Sequence, residues 1–331
     1  MPTLVEIAKL ANVSRSTVSR VINNDSRVKQ ETRKRVQAVI SELNFQPNRA
    51  ARSLAGGRTH VLGLVIPMGV SRLFTDPYFP LLIQGVTSAC NAHDYSVMLW
   101  LAEPEYERRM INQILHSGLI DGVIVSSSTT DDPLVDALHK SGFPFILVGR
   151  TPEDEASSYI DVDNVTSAKE AIAHLLRRGR RRIATITGPQ TMIAGVDRLT
   201  GYRVALRERG LMVDPNLIAD GDFTEAGGYE ATRQLLGYEP DAIFVASDVM
   251  AIGALRALRE AEVRVPEDIA LIGFDDMPFA QTSDPPLTTV RQPIQKTGSV
   301  AVETLIDLIE HPGSTPRRIL LPTELVIRSS D

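Results

Sequence analysis

The sequence predicts an α/β protein in two parts: an all-α helix-turn-helix head and a body of two doubly wound parallel-sheet lobes. Three observations predict it. The first twenty-odd residues carry two short amphipathic helices joined by a tight break. Charge divides at about residue 60, with eleven Lys or Arg against four acidic residues before it and 24 against 37 after it, although the whole chain is −6. From residue 61 onward, continuous apolar runs alternate with amphipathic segments, the pattern of parallel strands covered by helices on both faces.

In the head, Thr3 and Glu6 form an S/T-x-x-E capping box, and Leu4, Ile7, Ala8 and Ala11 keep one apolar face at helical spacing. Asn12-Val13 breaks the run and Ser14 caps a second helix. There Val18, Val21 and Ile22 point inward, which leaves Arg15, Ser16, Ser19 and Arg20 outward, within reach of a major groove. The alternative is a helical hairpin with a solvated polar face. Charge argues against it, because a +7 head on a −13 body suits a chain of which one end sits among phosphates. A third helix carries the stripe Val36, Val39, Ile40, Leu43 but lacks a good cap, with Lys29 where Ser or Asp would help. Residues 44–57 then offer a proline, Asn48 as cap, about two turns and a diglycine stop. That is shorter than the roughly 12 to 15 residues at which isolated helices become even marginal, so its order should depend on a partner.

In the body, strands are expected at 61–66, 96–101, 122–125 and 145–148, with helices over 81–91, 105–117 and 133–140. A second series has a helix at 167–177 and strands at 183–187, 242–246 and 269–273, and the chain ends with a helix over 293–309 and a strand over 320–327. The lobes then exchange crossings and the first is discontinuous. The expected division is 1–47 for the head, 48–60 for a hinge helix and linker, 61–161 with 292–321 for one lobe, and 162–291 with 322–331 for the other. Ligands of open parallel sheets bind beyond the carboxyl ends of the strands, so two such lobes enclose a cleft. Asp275 and Ser247-Asp248 follow strands, and Arg198 is expected after the loop following another. An Asp with an Arg holds a vicinal diol well, the carboxylate accepting from hydroxyls and the guanidinium donating to their oxygens. Phe223, Tyr78 and Phe79 would supply apolar faces. Asp248 is expected to cap the 249–260 helix, and the arginine-rich run 177–182 to form a solvated turn at a helix C-terminus.

Enzymes and membrane proteins find little support. The first strand-to-helix turn, Pro67-Met68-Gly69-Val70-Ser71, lacks a phosphate-cradling glycine pattern, and six scattered His offer no metal-ligand spacing. No cofactor or metal is expected. One cysteine, no secretory signal and no apolar run near 18 residues point to the cytoplasm.

The run Val13-Ser14-x-x-Thr17-Val18-Ser19-Arg20-Val21-x-Asn23, with Thr32-Arg33, Pro47-Asn48 and Leu54-Ala55, resembles the lactose-repressor and galactose-repressor family of bacterial transcription regulators. The body motifs Asp76-Pro77-Tyr78-Phe79, Asp163-Asn164, Asp197-Arg198-Leu199-x-Gly201-Tyr202, Ala246-Ser247-Asp248 and Gly273-Phe274-Asp275-Asp276 extend it over essentially the whole chain. The resemblance implies a periplasmic-binding-protein-like body. It also implies a DNA contact set of Thr3, Ser14, Arg15, Ser16, Thr17, Ser19, Arg20, Asn23, Arg27, Asn48, Ala51 and Leu54. Arg15 and Ser16 would read bases and Leu54 would wedge into the minor groove. It further implies an effector pocket of Tyr78, Phe79, Arg150, Arg198, Phe223, Ser247 and Asp275, a homodimer pairing in part through the 81–91 helix, and a double-stranded operator as partner. The tetramerising tail of some relatives is not expected after the last strand. The expected activity is ligand-controlled repression of a carbohydrate-utilisation operon. Alternatives are a transport-type sugar-binding protein with an unrelated basic N-terminus, and a family regulator answering to a nucleobase or nucleoside.

Overall fold

The computed structural model describes residues 2–22, 25–45, 58–66, 70–101, 117–126, 129, 132–151 and 156–331. They form two compact units, Met1–Thr59 and His60–Asp331. The expected contacts Asn23, Asn48, Ala51 and Leu54, the hinge helix they imply and most of the 105–117 helix lie outside the described residues.

The head contains α1 (Leu4–Leu10), α2 (Arg15–Ile22) and α3 (Gln30–Glu42). Thr3 and Glu6 form the reciprocal box expected of them: the Glu6 amide donates to Thr3 Oγ1 and the Thr3 amide to Glu6 Oε2. Ser14 Oγ accepts from the Thr17 amide at 3.1 Å, which caps α2 and fixes the turn. Lys29 gives α3 no side-chain cap. Ile7, Ala8, Ala11, Val18, Val21 and Val36 close the core, flanked by half-buried Val39, Ile40, Leu43 and Phe45. Six fully buried side chains make a small core, and a unit of this size is stabilised by only a narrow margin.

The body holds two six-stranded sheets. The first has the order β11-β5-β4-β3-β1-β2, built from β1 (Val61–Ile66), β2 (Ser96–Leu101), β3 (Gly122–Ser126), β4 (Phe145–Val148), β5 (Tyr159–Val162) and β11 (Arg318–Leu321), with every pair parallel. The second has the order β12-β10-β9-β8-β6-β7, from β6 (Ile183–Thr187), β7 (Ile218–Asp220), β8 (Ala242–Val245), β9 (Ala270–Asp275), β10 (Thr288–Arg291) and β12 (Glu324–Val326). Its strands are parallel except for β12, which runs antiparallel to β10 at the edge. Central strands such as β3, β6, β8 and β9 are buried along their whole length, as a sheet covered on both faces requires, whereas the edge strand β2 is half-exposed. The chain leaves the first sheet after β5, returns after β10 and leaves again after β11.

Two expectations need correction and two gain detail. The strand predicted over 320–327 is two strands in different sheets, because Pro322 has no amide to continue a ladder. Arg198 follows the loop after β6, as expected, in the second turn of the Ile193–Glu208 helix, an element that the sequence pattern does not show. That helix escaped periodicity because it buries Asp197 and Arg198 beside Leu199 and Tyr202, so no polar face marks its boundary. The Asp248–Glu260 helix is capped by Ser247, whose Oγ accepts from the Met250 amide, and Asp248 is its first, fully buried residue. Finally, the arginine-rich turn is exposed, as expected, and is also held by hydrogen bonds: Arg180 donates to Pro266 O, the Arg181 amide to Asp241 Oδ2 and Arg182 Nε to Tyr238 O.

The Tyr78–Ala92 and Ile294–Glu310 helices pack side by side over the first sheet, burying Leu82, Val86, Val302 and Leu305 in one cluster. Their backbones meet at Gly85, where a Cβ would lie 2.0 Å from the carbonyl oxygen of Gln295. Gly85→Ala must therefore push the helices apart, and the expected loss is about 1 to 3 kcal/mol in urea unfolding of the full chain. An unchanged midpoint would show that the contact is slack.

Candidate functional site

The head presents Arg15, Ser16 and Arg20 fully exposed on α2, with Thr17 and Ser19 half-buried beside them. Thr3 and Ser14 cap α1 and α2, and Ser14 Oγ also lies 2.8 Å from both Ser16 Oγ and Thr17 Oγ1. Hydroxyls and amides at a helix start are suited to phosphate oxygens, and an exposed Arg fork to the O6 and N7 of guanine. Arg27 turns back on Asp25, its Nη2 2.7 Å from Oδ2, and holds that carboxyl well below the usual carboxylate range through side-chain and backbone hydrogen bonds. The pair is exposed, so a phosphate can compete for Arg27 at small cost.

In the body, a cavity of about 300 Å³ opens beyond the carboxyl ends of β1, β3, β4 and β5 on one side and β6, β7, β8 and β9 on the other. It lies at the low end of the roughly 300 to 1,000 Å³ range of small-molecule sites. All seven residues expected in the pocket, Tyr78, Phe79, Arg150, Arg198, Phe223, Ser247 and Asp275, line it. Arg150, Phe223, Ser247 and Asp275 stand on, or a few residues after, a strand's carboxyl end, whereas Tyr78 and Phe79 open the Tyr78–Ala92 helix and Arg198 is brought back by the Ile193–Glu208 helix.

Arg198 is the centre of the site. Its Nε donates to Asn164 Oδ1 at 2.8 Å, its Nη1 donates to Ala246 O at 2.5 Å and stands 3.6 Å from Asp275 Oδ1, and its guanidinium lies 3.7 Å from the centroid of the Phe274 ring. Both members of the Arg198–Asp275 pair are buried, so each charge lacks water. Burial lowers the Arg198 guanidinium and raises the Asp275 carboxyl, and each partner opposes the other's shift by stabilising its charged form. Gln292 Nε2 donates to Asp275 Oδ1 at 2.5 Å and completes its support.

Two strained loops border the cavity. Asp222 and Phe223 both have positive φ (51° and 52°), as do Asp275 (122°) and Asp276 (58°). Such backbone costs about 1 to 3 kcal/mol per residue and persists where it aims a side chain. At Phe223 it lays the ring on Gly188, where a Cβ would fall 2.0 Å from Cζ. Asp248 is not part of the lining. Its carboxylate accepts from Thr289 Oγ1 at 2.6 Å and from the Met277 amide at 2.8 Å, and so ties the turn after β9 to β10.

Further polar residues that sequence reasoning did not place at the site, Asp76 and Asp222 among them, complete it. Asn164, Asp161 and Gln292 line the cavity, and Asp197 reaches it through Arg150. Asn164 and Asp197 fall within motifs singled out in the sequence, which could have found them; nothing in the sequence distinguishes Gln292. Arg150, at the end of β4, directs Nη1 to Asp197 Oδ2 at 2.5 Å and to Asp161 Oδ2 at 3.3 Å, so it joins the two sides of the cleft. A short backbone bridge between Thr129 and Met192 does the same. Among the described residues no group of three or more His, Cys, Asp or Glu could hold a metal ion, and no helix is long and apolar enough to cross a membrane. The lone Cys90 is buried, which pushes its thiol up to about 11.

Residues 3–48 match the model of bacterial regulatory proteins of the lacI family, and residues 172–330 match a periplasmic binding protein-like domain. The chain is 41% identical to the HTH-type transcriptional regulator CelR of Thermobifida fusca over 99% of its length and 98% of that protein's. It is 36% identical to the ribose operon repressor of Escherichia coli K12 over the full length of both. Among solved structures, a CelR–cellobiose complex superposes with TM-score 0.80 at 39% identity, covering all of both chains. The lac repressor dimer bound to operator and the anti-inducer ONPF superposes with TM-score 0.87 at 28% identity, covering 99% of this chain and 98% of that one.

Burial pushes Asp161 up to about 6 against the pull of Arg150. Between about pH 4 and 6 the folded state therefore binds more protons at this carboxyl than the unfolded state, and its contribution to stability declines as pH rises through that window. Asp161→Asn should remove that part of the slope. The check is whether the difference in unfolding free energy between pH 4 and pH 6.5 shifts, relative to the parent, by up to about 3 kcal/mol.

Proposed function

The chain belongs to the lacI family of bacterial regulatory proteins, as a DNA-binding transcription regulator, and from that premise we propose that a sugar held in the 300 Å³ cavity sets its affinity for an operator. The observation that carries the reading is the buried Arg198–Asp275 pair with Phe223 beside it, a donor and an acceptor side by side next to an apolar ring. Adjacent hydroxyls of a pyranose or furanose match the first two, and its C–H face matches the ring. The names of the relatives, a cellobiose complex and a ribose operon repressor, support a carbohydrate-utilisation operon as the target. The relatives are regulators, and we read the cavity as binding its ligand without transforming it, in the cytoplasm where the operator lies.

In this reading two heads of a homodimer take half-sites about 34 Å apart. Arg15, Ser16 and Arg20 read the major groove. Thr3, Ser14, Thr17, Ser19, Asn23 and Arg27 position the head on phosphates. Asn48, Ala51 and Leu54 order as a hinge helix in the minor groove, where Leu54 unstacks a base step. The outer face of the Tyr78–Ala92 helix, with half-buried Ile83 and exposed Thr87 beside the exposed ring of Phe74, suits the dimer contact. The ligand acts because the cavity is built from both lobes: it favours one lobe–lobe angle, and that angle sets the spacing of the heads. A coupling of about 1 to 3 kcal/mol is enough to switch occupancy.

Four measurements test the proposal. Titrating duplex operator while salt rises from 50 to 200 mM should weaken binding by orders of magnitude, as counterion release requires; a flat response would favour a sugar-binding protein without operator recognition. Leu54→Ala should weaken operator binding and leave sugar affinity without DNA unchanged, so equal operator affinity would reject the wedge. For the pocket, Asp275→Ala should abolish the effect of a sugar on operator binding while retaining that binding. In the parent, sugar affinity should increase from pH 6 to pH 8, because the ionised Asp275 carboxylate is the better acceptor.

A further inference from the structure

Resting on the reading of the cavity as an effector site, we propose that it admits uncharged, hydroxyl-rich ligands and rejects their phosphate esters, with Arg150 as the residue that enforces the distinction. Four aspartates, Asp76, Asp161, Asp222 and Asp275, line the cavity against two arginines, and no lysine lines it among the described residues. Each arginine already stands against carboxylates. Arg198 is committed on three sides, to Asn164, to Ala246 O and to Asp275, with Phe274 covering its face. Arg150, the more accessible of the two with 29% of its side chain exposed, has Nη1 bonded both to Asp197 at 2.5 Å and to Asp161 at 3.3 Å.

A phosphate ester carries about −1.5 to −2 at neutral pH and is held by forked, charge-assisted donors. An ester taken at Nη1 would displace both aspartates, and one taken at Nε or Nη2 would sit beside them, so either way the new anion meets two partly desolvated carboxylates. Displacement at Nη1 would also break the ion pair that joins β4 of one sheet to the Ile193–Glu208 helix of the other. A neutral sugar asks for none of this. The bound aspartates keep their partner, and the carboxylates that line the cavity, those of Asp161 and Asp275 among them, accept from its hydroxyls. An excess of acceptors suits a ligand whose polar hydrogens are many and whose charge is zero.

The test is a calorimetric panel on the full-length chain, using cellobiose, D-glucose and D-ribose against cellobiose 6′-phosphate, glucose 6-phosphate and ribose 5-phosphate. The sugar that binds best is expected to bind at least 30-fold more tightly than its phosphate ester. An ester that binds as well as or better than its parent sugar overturns the inference while leaving the sugar site intact. If no member of either set binds, the sugar reading falls and the inference falls with it. A second arm frees the guanidinium by combining Asp161→Asn with Asp197→Asn. If Arg150 is held back from anions by these carboxylates, the sugar-to-ester ratio shrinks at least tenfold, through a gain in ester affinity. A purely structural role would weaken both ligands together and leave the ratio where it was, and that result also overturns the proposal.

Discussion

The body is organised around a cation that has lost its water. A guanidinium as buried as that of Arg198 costs several kcal/mol to desolvate and is tolerated only where partners surround it. Here Asn164, the carbonyl of Ala246, the Phe274 ring and Asp275 surround it, drawn from the crossing after β5 and the ends of β8 and β9. The requirement reaches outward. Asp275 can stay beside Arg198 only with an extended strand carrying it to the rim, a left-handed backbone turning it inward, and Gln292 beyond β10 holding its other side. The site is thus coupled to the segments through which the two lobes communicate.

A second ionic arrangement, Arg150 between Asp161 and Asp197, differs in kind. It is partly solvated and joins the first sheet to the second across the open side of the cleft. A buried pair such as Arg198–Asp275 is rigid, because separating it strands a charge. The Arg150 arrangement is intermediate: water can reach the 29% exposed guanidinium when it parts, but Asp161 and Asp197 are themselves buried and lose their compensating charge. In the proposed reading, the first pair would fix what the ligand meets, and the second would set what it costs the lobes to change their angle. This division suits a receptor that must be shape-selective and still change its angle.

The head follows a different economy. Its core is six buried side chains, and its edges are defined by hydrogen-bonded caps at Thr3 and Ser14 rather than by packing. Small domains of this kind derive much of their definition from helix ends, which also place hydroxyls and amides next to the exposed arginines of α2. Stability and recognition share the same few residues there.

Local chemistry was enough to find much of this. The Thr3/Glu6 box, the Ser14 cap, the apolar runs that became β1 and β6 and the seven residues that line the cavity could be read from residue order, because caps, periodicity and strand ends act over a few positions or match a family's spacing. Tertiary structure decided the rest, for reasons that are not local. Arg198 belongs to a helix that periodicity could not show, since that helix buries charge on the side where a stripe would be apolar. Ser247 rather than Asp248 caps its helix because the Asp248 carboxylate is claimed by Thr289 and the Met277 amide, partners 41 and 29 residues away. Asp161, Asp197 and Arg150 become one ionic unit only when β4, β5 and the Ile193–Glu208 helix meet across the cleft. The sequence by itself determined which residues stand at strand ends; which of those charges neutralise one another was decided by how the two sheets face, because Coulomb energy depends on distance in space and not on separation along the chain.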